Sequence, residues 1–251
     1  MRALDFFIVL VIVLEISLAW FWTKEKPKPK EVKVIKEEPQ AKFRADIVPE
    51  RMTVSTKKER FFYLMLPSIK KVHQQWHERF ERLSADLNSS EHAQEIDALK
   101  RLYNAQNEEE LLASLKPHPP SITIAQAAME SAWATSRFFR KANNVFGVWS
   151  TSKDQARIAA NEQRENNTTI WLRKFENIDD AVGEYYEMLA RSPVYGEFRL
   201  ARLYSNNAYD IVSHLDRYSE LGEIYTAELA KLIYYNRLRD FDKTLPFSNY
   251  P

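Results

Sequence analysis

One segment of the sequence constrains the fold of this chain more than any other. Residues 121–136 are apolar and rich in alanine, and the segment carries one acid, Glu130. Apolar side chains recur in it at the spacing of one helix face, at Ile122, Ala125, Met129 and Trp133. Because such a face must be covered by other elements, we predict a buried helix that carries a carboxylate.

The residues before this segment are typical of a helix entrance. Pro119 and Pro120 lack the backbone N–H that the first turn of a helix leaves unpaired, so proline is tolerated there. Ser121 is a preferred capping residue, and we expect its side chain to accept from the free N–H groups of the first turn.

Glu130 is the candidate catalytic residue. Its helical neighbours Ala127, Ala128, Met129 and Trp133 are apolar, so its carboxylate loses solvation. Desolvation raises the pKa of a carboxyl group toward that of a useful proton donor. The environment predicts a general acid, and a half-exposed helical glutamate in a structural network is the alternative.

The same segment resembles a known family. Residues 125–136 read Ala-Gln-Ala-Ala-Met-Glu-Ser-Ala-Trp-Ala-Thr-Ser, and residues 142–147 read Ala-Asn-Asn-Val-Phe-Gly. Both are similar to the glucosaminidase domain of glycoside hydrolase family 73 and its Bax-like members, and the resemblance spans residues 57–243. It implies a lysozyme-like fold and the hydrolysis of bacterial peptidoglycan. The family usually carries Gly where this chain has Ala132 and Ala134, and we expect the added methyl groups to alter the packing of this turn while leaving the acid in place.

The resemblance also implies partners for Glu130. Glycosidic hydrolysis usually needs a second carboxylate, which in the family comes from the hairpin lobe, where we favour Glu162 over Glu165. Tyr225 and Tyr218 match family tyrosines that lie close to the acid. The predicted catalytic residues are therefore Glu130, Glu162 and Tyr225, and the predicted substrate-binding residues are Trp133, Asn144, Phe146, Trp149, Tyr195 and Tyr218. Solvated loop acids, helix-packing tyrosines and core-filling aromatic residues are the respective alternatives.

Charge and composition exclude several other functions. The chain has 251 residues and a formal net charge of +1, so no global field favours nucleic acid. It has no cysteines, which excludes a disulfide scaffold and thiol chemistry. His73 and His77 have a spacing that can bind metal, but the segment lacks the Glu that a zinc protease motif requires. We predict that both lie on a solvated flank of a helix, and we predict no metal and no cofactor.

The first residues of the chain predict a membrane segment. Residues 6–22 are an almost unbroken apolar run that ends in Trp20, Phe21 and Trp22, an aromatic cluster suited to a membrane interface. We predict an uncleaved single-pass anchor in the bacterial inner membrane with the catalytic domain in the periplasm, or a secreted periplasmic form if the run is cleaved. The positive-inside rule favours a cytoplasmic domain instead, because of Lys24, Lys26, Lys28 and Lys30. We follow the peptidoglycan substrate, which lies outside the cytoplasm.

Helical spacing dominates the rest of the sequence. Residues 57–66 predict a short helix that ends near Pro67, and apolar stripes beyond it predict further helices. Two short β-rich runs, residues 156–162 and 168–175, flank a polar turn and predict a hairpin. The polar residues that we expect to cap later helices are Asn107 and Asn177.

These patterns define a fold class and a domain organisation. The fold class is mainly α, an α+β lysozyme-like helical domain with a small β-hairpin lobe, preceded by one transmembrane helix. The predicted segments are an anchor or signal segment at 1–22, a Lys- and Pro-rich linker at 23–56, an N-terminal helical part at 57–116, a glucosaminidase catalytic domain at 117–243 and a tail at 244–251.

The leading hypothesis is an anchored endo-β-N-acetylglucosaminidase that hydrolyses the glycan strands of peptidoglycan; cleavage as a muramidase is left open, as is the oligomeric state. One alternative is a non-catalytic module that binds peptidoglycan. Another is a membrane-tethered interaction protein. Glu130 within its motif argues against the last of these.

Overall fold

A computed structural model describes residues 41–87, 92–163 and 169–243, with the side chains of residues 161–163 left out. The predicted anchor at residues 6–22, the tip of the predicted hairpin and the tail fall outside this part of the chain. Among the described residues, no helix has both the length and the apolar character needed to cross a membrane. The described residues from Lys42 onward belong to one compact unit.

The longest helix, α1, spans Val54–Ala85. The Thr53 side chain caps it by accepting the backbone N–H of Thr56 at 3.1 Å. Helix α1 runs straight through Pro67, so the prediction of a helix end there is wrong. Proline removes the backbone hydrogen bond to the residue four positions earlier, which is Tyr63. Both residues are exposed, so water can replace the lost partner, and the buried stripe of α1 continues on either side.

Helix α1 begins inside the predicted linker, and the chain before it is tied to the fold by Arg60. This fully buried side chain donates from Nη2 to the backbone carbonyls of Arg44, Ala45 and Ile47. Its Nη1 donates to the carbonyl of Ala134 at 2.6 Å. One guanidinium therefore fixes the chain before α1 against the turn that follows Glu130.

Further helices lie between α1 and the sheet, and polar side chains define their ends. The Asn107 side chain accepts the backbone N–H of Glu110 at 2.9 Å, which confirms the predicted cap. The helices are α2 Ala93–Tyr103, α3 Glu108–Leu115, α4 Pro120–Glu130 and α5 Arg137–Ala142.

The entrance of α4 differs from the prediction. Pro119 holds the N-cap position, so Ser121 lies inside the first turn and does not cap it. The backbone N–H and the hydroxyl of Ser121 both donate to the carboxylate of Asp242, each at 2.8 Å. A carboxylate from the far end of the chain thus satisfies the free donor. No local sequence pattern could indicate this pairing.

The sheet is a single antiparallel pair, β1 Arg157–Gln163 and β2 Thr169–Arg173, which confirms the predicted hairpin. Its register pairs Ile158 with Leu172 and becomes irregular between Ala159 and Gln163. Trp149 adds an isolated bridge to Leu172. The hairpin is joined to α5 because Arg137 Nη1 donates to the carbonyl of Ala159 at 2.9 Å.

Short helices complete the described chain after the sheet. Asn177 accepts the backbone N–H of Asp180 at 2.9 Å, as predicted for a cap. Helical spacing predicts a last helix over residues 223–239, but this helix, α9, spans only Glu223–Tyr235, and Arg237 beyond it has a left-handed backbone. The α-helices are α6 Ile178–Arg191, α7 Gly196–Tyr204, α8 Ala208–Val212 and α9 Glu223–Tyr235, and the 3₁₀ helices are Pro193–Tyr195, Ser213–Tyr218 and Leu238–Lys243.

Helix α4 lies at the centre of the packing. It contacts α1 on one side and α9 on another, while α1 also packs against α6. Its residues from Pro120 to Ala128 are all buried, because the surrounding helices cover it on every face. The protein is thus mainly helical with a small two-stranded sheet, as the sequence predicts, and Glu130 lies where the central helix reaches the surface.

Candidate active site

Glu130 is the last residue of α4, and the chain turns sharply after it. Ala132, Trp133 and Ala134 have positive φ angles of 52°, 61° and 61°. This left-handed region is costly for residues with a Cβ atom and easy for glycine. Positions 132 and 134 are those where the resembling family usually carries Gly, so the backbone of this turn accounts for that preference.

Ser131 holds the turn in place. Its hydroxyl donates to the carbonyl of Ala127 and accepts the backbone N–H of Ala134 at 2.8 Å. Because the helix has already ended, Trp133 does not continue the apolar stripe of α4, and the predicted stripe stops at Met129. The turn instead presents the Glu130 carboxyl at the end of a buried helix.

The Glu130 carboxyl has the environment that the sequence predicts for it. Burial raises its pKa, and a hydrogen bond from the Tyr225 hydroxyl to Glu130 Oε1, at 2.9 Å, partly lowers it again. Since the effect of burial is the larger, the pKa of Glu130 lies above its ordinary value. A carboxyl group of this kind keeps its proton at a higher pH than an exposed glutamate does.

Three tyrosines from the C-terminal half face Glu130. Tyr225 extends from α9, and its ring stacks on that of Tyr218 with centroids 5.5 Å apart. Tyr195 follows, with its ring centroid 6.2 Å from that of Tyr218. Burial and the nearby Glu130 charge raise the pKa of all three hydroxyls. They therefore remain protonated and available as hydrogen-bond donors.

A groove of about 500 Å³ opens beside these tyrosines. Tyr195 and Tyr218 belong to its wall, and Trp149, whose surface is 55% exposed, lies at its edge. Glu184 lines it as well and forms ion pairs with Arg173 and Arg191, at 2.7 and 2.5 Å. The groove thus combines aromatic faces with a charged cluster, next to the layer of tyrosines that faces Glu130.

Comparison with known protein families identifies the family to which these site residues belong. The family described as "Glucosaminidase: Mannosyl-glycoprotein endo-beta-N-acetylglucosaminidase" matches residues 107–238, which is more than half of the chain and includes Glu130 and the three tyrosines. The chain belongs to the glucosaminidase family. This confirms the resemblance found in the sequence.

Individual relatives share only part of their sequence or fold with this chain. The chain is 32% identical over 107 residues to the exo-glucosaminidase LytG of Bacillus subtilis (strain 168), a match that covers 39% of the chain and 38% of that relative. The catalytic domain of the autolysin Auto from Listeria monocytogenes matches with a TM-score of 0.45 and 17% identity, over 76% of this chain and 91% of that one. The glycoside hydrolase domain of FlgJ from Salmonella typhimurium matches with a TM-score of 0.38 and 22% identity, over 58% of this chain and 93% of that one. The chain spans well under half the length of the curated relative.

Two of the predicted substrate-binding residues have a packing role in this glucosaminidase domain. Trp133 packs edge-on against Phe61 of α1, with ring centroids 5.1 Å apart. Asn144 is buried, and its side chain bonds the backbone of Val148 and the carbonyl of Arg173. Asn144 therefore braces the loop that carries Trp149 toward the groove. Direct substrate contact by Trp133 and Asn144 stays a prediction beside these packing roles.

Phe146 packs in the core and also lines the groove. It is buried and stacks on Tyr185 with ring centroids 4.1 Å apart. Its backbone carbonyl accepts a hydrogen bond from Tyr218 at 3.4 Å. Its contact with substrate therefore stays a prediction, with core filling as the alternative.

The predicted second carboxylate lies at the edge of what the structure describes. Glu162 belongs to β1, but its side chain is outside the described part, and Glu165 lies outside it entirely. The role of either residue stays a prediction. Its backbone position does place Glu162 in the strand that Arg137 attaches to the helices beyond Glu130.

The histidines are buried, so the prediction of a solvated flank is wrong. His73 contacts the Tyr186 hydroxyl through Nδ1 at 3.0 Å, and His77 faces Glu81 at 3.6 Å. Burial lowers the pKa of His73 to about 3, which keeps it neutral. Among the residues with described side chains, no cluster of three or more potential ligands could hold a metal ion.

Sequence reasoning missed the residues beneath Tyr225. Gln126 is fully buried and donates from Nε2 to the Tyr225 hydroxyl at 2.9 Å. Its Oε1 accepts the hydroxyl of Tyr185 at 2.5 Å. The available signal was the position of Gln126, one helical turn before Glu130 and the one amide on an otherwise alanine-rich helix.

Proposed function

We propose that this protein hydrolyses the glycan strands of bacterial peptidoglycan as an endo-β-N-acetylglucosaminidase, with Glu130 as the general acid. The observation that carries the proposal is the Glu130 carboxyl itself. Burial raises its pKa, and Tyr225, which bonds it, stacks on Tyr218 in the wall of the aromatic groove. Membership of the glucosaminidase family supports the reaction class, and the name of the relative LytG describes a glucosaminidase.

Glu130 acts in its protonated form. It donates its proton to the glycosidic oxygen as the bond from that oxygen to the sugar carbon breaks. Positive charge develops on that sugar in an oxocarbenium-like transition state, and water supplies the oxygen that finally bonds to the sugar carbon. The carboxylate that remains on Glu130 accepts a hydrogen bond of 2.9 Å from the Tyr225 hydroxyl. Tyr225 thus stabilises the ionised product of the proton transfer.

Sugar rings bind along the groove. The exposed ring of Trp149, together with Tyr195 and Tyr218 in the groove wall, provides apolar surface that packs against the faces of sugars. Arg173 and Arg191 at the same groove supply donors for the polar groups of the strand. Loop 144–149 supports this wall because the Asn144 side chain bonds both the carbonyl and the backbone N–H of Val148.

The second carboxylate of the reaction is Glu162, carried by the hairpin. Glycosidases place their two carboxyl groups about 5–9.5 Å apart, with the shorter range typical of retention and the longer of inversion. The hairpin is held to the helical body by Arg137 of α5 and by the Asn144 side chain, and it brings Glu162 over Glu130 when a strand fills the groove.

Identification of the new reducing ends tests this function. The purified full-length chain is incubated with peptidoglycan, and the products are reduced with borohydride and analysed by mass spectrometry. Long fragments with GlcNAc at their new reducing ends support the proposal. New reducing ends with MurNAc make the protein a muramidase, and release of single terminal sugars makes it exo-acting. Binding without any release of sugar ends indicates a non-catalytic module.

The location of the protein follows from the proposed substrate. Residues 6–22 anchor it in the inner membrane as a single span, and the catalytic domain lies in the periplasm where peptidoglycan is accessible. Protease added to spheroplasts then removes the domain. Protection of the domain until the cells are lysed contradicts this location and agrees with the orientation that the lysines after the span favour.

A further inference from the structure

The direction of the hydrogen bonds beneath Glu130 is set by Arg202. This fully buried side chain donates to the carbonyls of Ala113 and Ser114, at 3.1 and 2.7 Å, and its Nη1 lies 3.4 Å from His118 Nδ1. Burial lowers the pKa of Arg202 to about 9, which still leaves it protonated at neutral pH. A guanidinium has donors and no acceptor, so His118 Nδ1 accepts.

This fixes the proton of His118. Burial holds the pKa of His118 well below its ordinary value, so the ring is neutral and carries one proton. Since Nδ1 accepts, that proton is on Nε2, which lies 2.8 Å from Thr123 Oγ1 and 3.1 Å from the Tyr185 oxygen. The Tyr185 oxygen therefore faces a donor, and its own proton must go elsewhere.

The proton of Tyr185 goes to Gln126 and decides which way the amide points. Because the Tyr185 oxygen already faces the N–H of His118, only the carbonyl oxygen of Gln126 makes a favourable contact with it, at 2.5 Å. The Gln126 NH₂ group is then directed at the Tyr225 oxygen, 2.9 Å away. The Tyr225 proton is left for Glu130 Oε1.

We propose that Gln126 is a positioning residue, which holds the Tyr225 hydroxyl proton on Glu130 through a one-directional chain of hydrogen bonds that begins at the buried Arg202 guanidinium. This chain of hydrogen bonds passes through His118 and Tyr185 and ends at the Glu130 carboxyl, at Oε1. When Glu130 is ionised, that carboxyl has no proton to donate and can only accept. Successive bonds in one direction polarise each other, so the last donor is strengthened.

The consequence is a defined ionisation of Glu130. Tyr225 bonds it directly, and Tyr195 and Tyr218 are the other titratable groups that face it from the elements packed around α4. Loss of Gln126 removes the donor that fixes the Tyr225 proton, which weakens the bond to the carboxylate and raises the pKa of Glu130. Its effect on hydrolysis rests on the proposed function, whereas its effect on ionisation does not.

The test is a titration of Glu130 in the full-length chain, followed by the side-chain ¹³C carboxyl signal and assigned with Glu130→Gln. In Gln126→Leu the midpoint is expected about one pH unit higher, the size of effect that one hydrogen bond to a charged group produces. Tyr185→Phe removes a single hydroxyl outside hydrogen-bond contact with Glu130. It is expected to raise the midpoint by a smaller amount, since Gln126 is then free to turn over.

Thr123→Val is the matched control. It also removes a buried hydroxyl that contacts His118 and Tyr186, but it leaves the bonds from Tyr185 through Gln126 and Tyr225 to Glu130 in place. Its stability is expected to fall while the Glu130 midpoint stays within about 0.3 pH units of the wild type. An unchanged midpoint in folded Tyr185→Phe and Gln126→Leu overturns the proposal, as does an equal shift in Thr123→Val. If Gln126→Leu does not fold, the comparison of Tyr185→Phe with Thr123→Val decides alone.

Kinetics separate this proposal from the proposed function. A general acid works only while protonated, so activity falls as pH rises through the pKa of Glu130. Gln126→Leu and Tyr185→Phe are therefore expected to move the alkaline limb of the pH–rate profile upward by the same amount as the titration midpoint. If the variants shift the midpoint while the wild-type protein hydrolyses nothing, the hydrogen-bond chain is upheld and only the assigned reaction is contradicted.

Discussion

At the scale of single residues, the central feature is the balance of two opposing effects on Glu130. Burial favours its protonated form, while the Tyr225 hydroxyl favours the ionised form. The first effect is the larger, so the Glu130 carboxyl keeps its proton up to a higher pH than an exposed glutamate does and can still give it up. Such a balance is costly for the fold once Glu130 is ionised, because the charge that it then carries is largely buried.

That cost predicts how stability depends on pH. The pKa of Glu130 is raised in the folded state, so its stabilising contribution is complete below the pKa of the unfolded chain and is lost as pH rises through the folded value. Glu130→Gln removes this titration. We expect it to melt a few degrees above the wild type at pH 8, on the order of a typical single-site effect, and close to the wild type at pH 4.

Thermal unfolding of the two proteins across this pH range checks the prediction. A Tm difference that is the same at pH 4 and at pH 8 means that the ionisation of Glu130 is not coupled to folding. A variant that is less stable at pH 8 than the wild type shows that the carboxylate is a structural group and not a strained one.

At the scale of elements, the turn after α4 is the most strained segment in the described chain near the site. Ala132, Trp133 and Ala134 all adopt left-handed backbone angles, and Arg60 and Ser131 hold the turn by bonding Ala134. This part of the backbone aims Glu130 away from the core. Its strain is stored where the proposed chemistry takes place.

Ala132→Gly relieves part of that strain. The side chain of Ala132 is exposed and its φ is 52°, where glycine avoids a steric cost of about 1–2 kcal/mol but loses more entropy on folding, so we expect a net gain of up to about 1 kcal/mol. Ala227→Gly, at an exposed position inside α9, is the control and should lose about 1 kcal/mol. Chemical denaturation measures both. A loss of stability in Ala132→Gly similar to that of the control contradicts the account of this turn.

The hairpin makes a second prediction at this scale. If its strand carries the second carboxylate, Glu162→Gln lowers the turnover of peptidoglycan by roughly 10²-fold or more, while Glu165→Gln, in the segment predicted to form the polar turn, changes it little. Initial rates of sugar-end release with both variants measure the difference. Equal and small effects rule out a hairpin carboxylate and leave Glu130 to act with the tyrosines or with the acetamido group of the substrate.

At the scale of the whole molecule, local patterns predicted most elements and few of their contacts. The hairpin, the caps at Asn107 and Asn177 and the raised pKa of Glu130 all follow from short stretches of sequence. The continuation of α1 through Pro67 does not, because the packing on both sides of a proline decides whether a helix survives it.

Features that depend on partners distant in the sequence could not be predicted. Asp242 satisfies the first turn of α4 from the other end of the domain, and Arg202 orders the polar groups beneath Tyr225. Likewise, nothing near His73 in the sequence indicates that Tyr186 covers it. These hydrogen-bond partners can be identified only in the folded structure, because tertiary packing supplies each of them in place of a neighbour in the sequence.

The most direct test of the whole account is the rate at which the full-length chain and Glu130→Gln release new sugar ends from purified peptidoglycan at the pH optimum of the wild type. Gln has nearly the same shape and can still accept the Tyr225 hydroxyl, but it cannot donate a proton to the glycosidic oxygen. The account predicts a rate lower by about 10²–10⁴-fold in a variant that stays folded. A folded Glu130→Gln variant with a rate close to that of the wild type contradicts it.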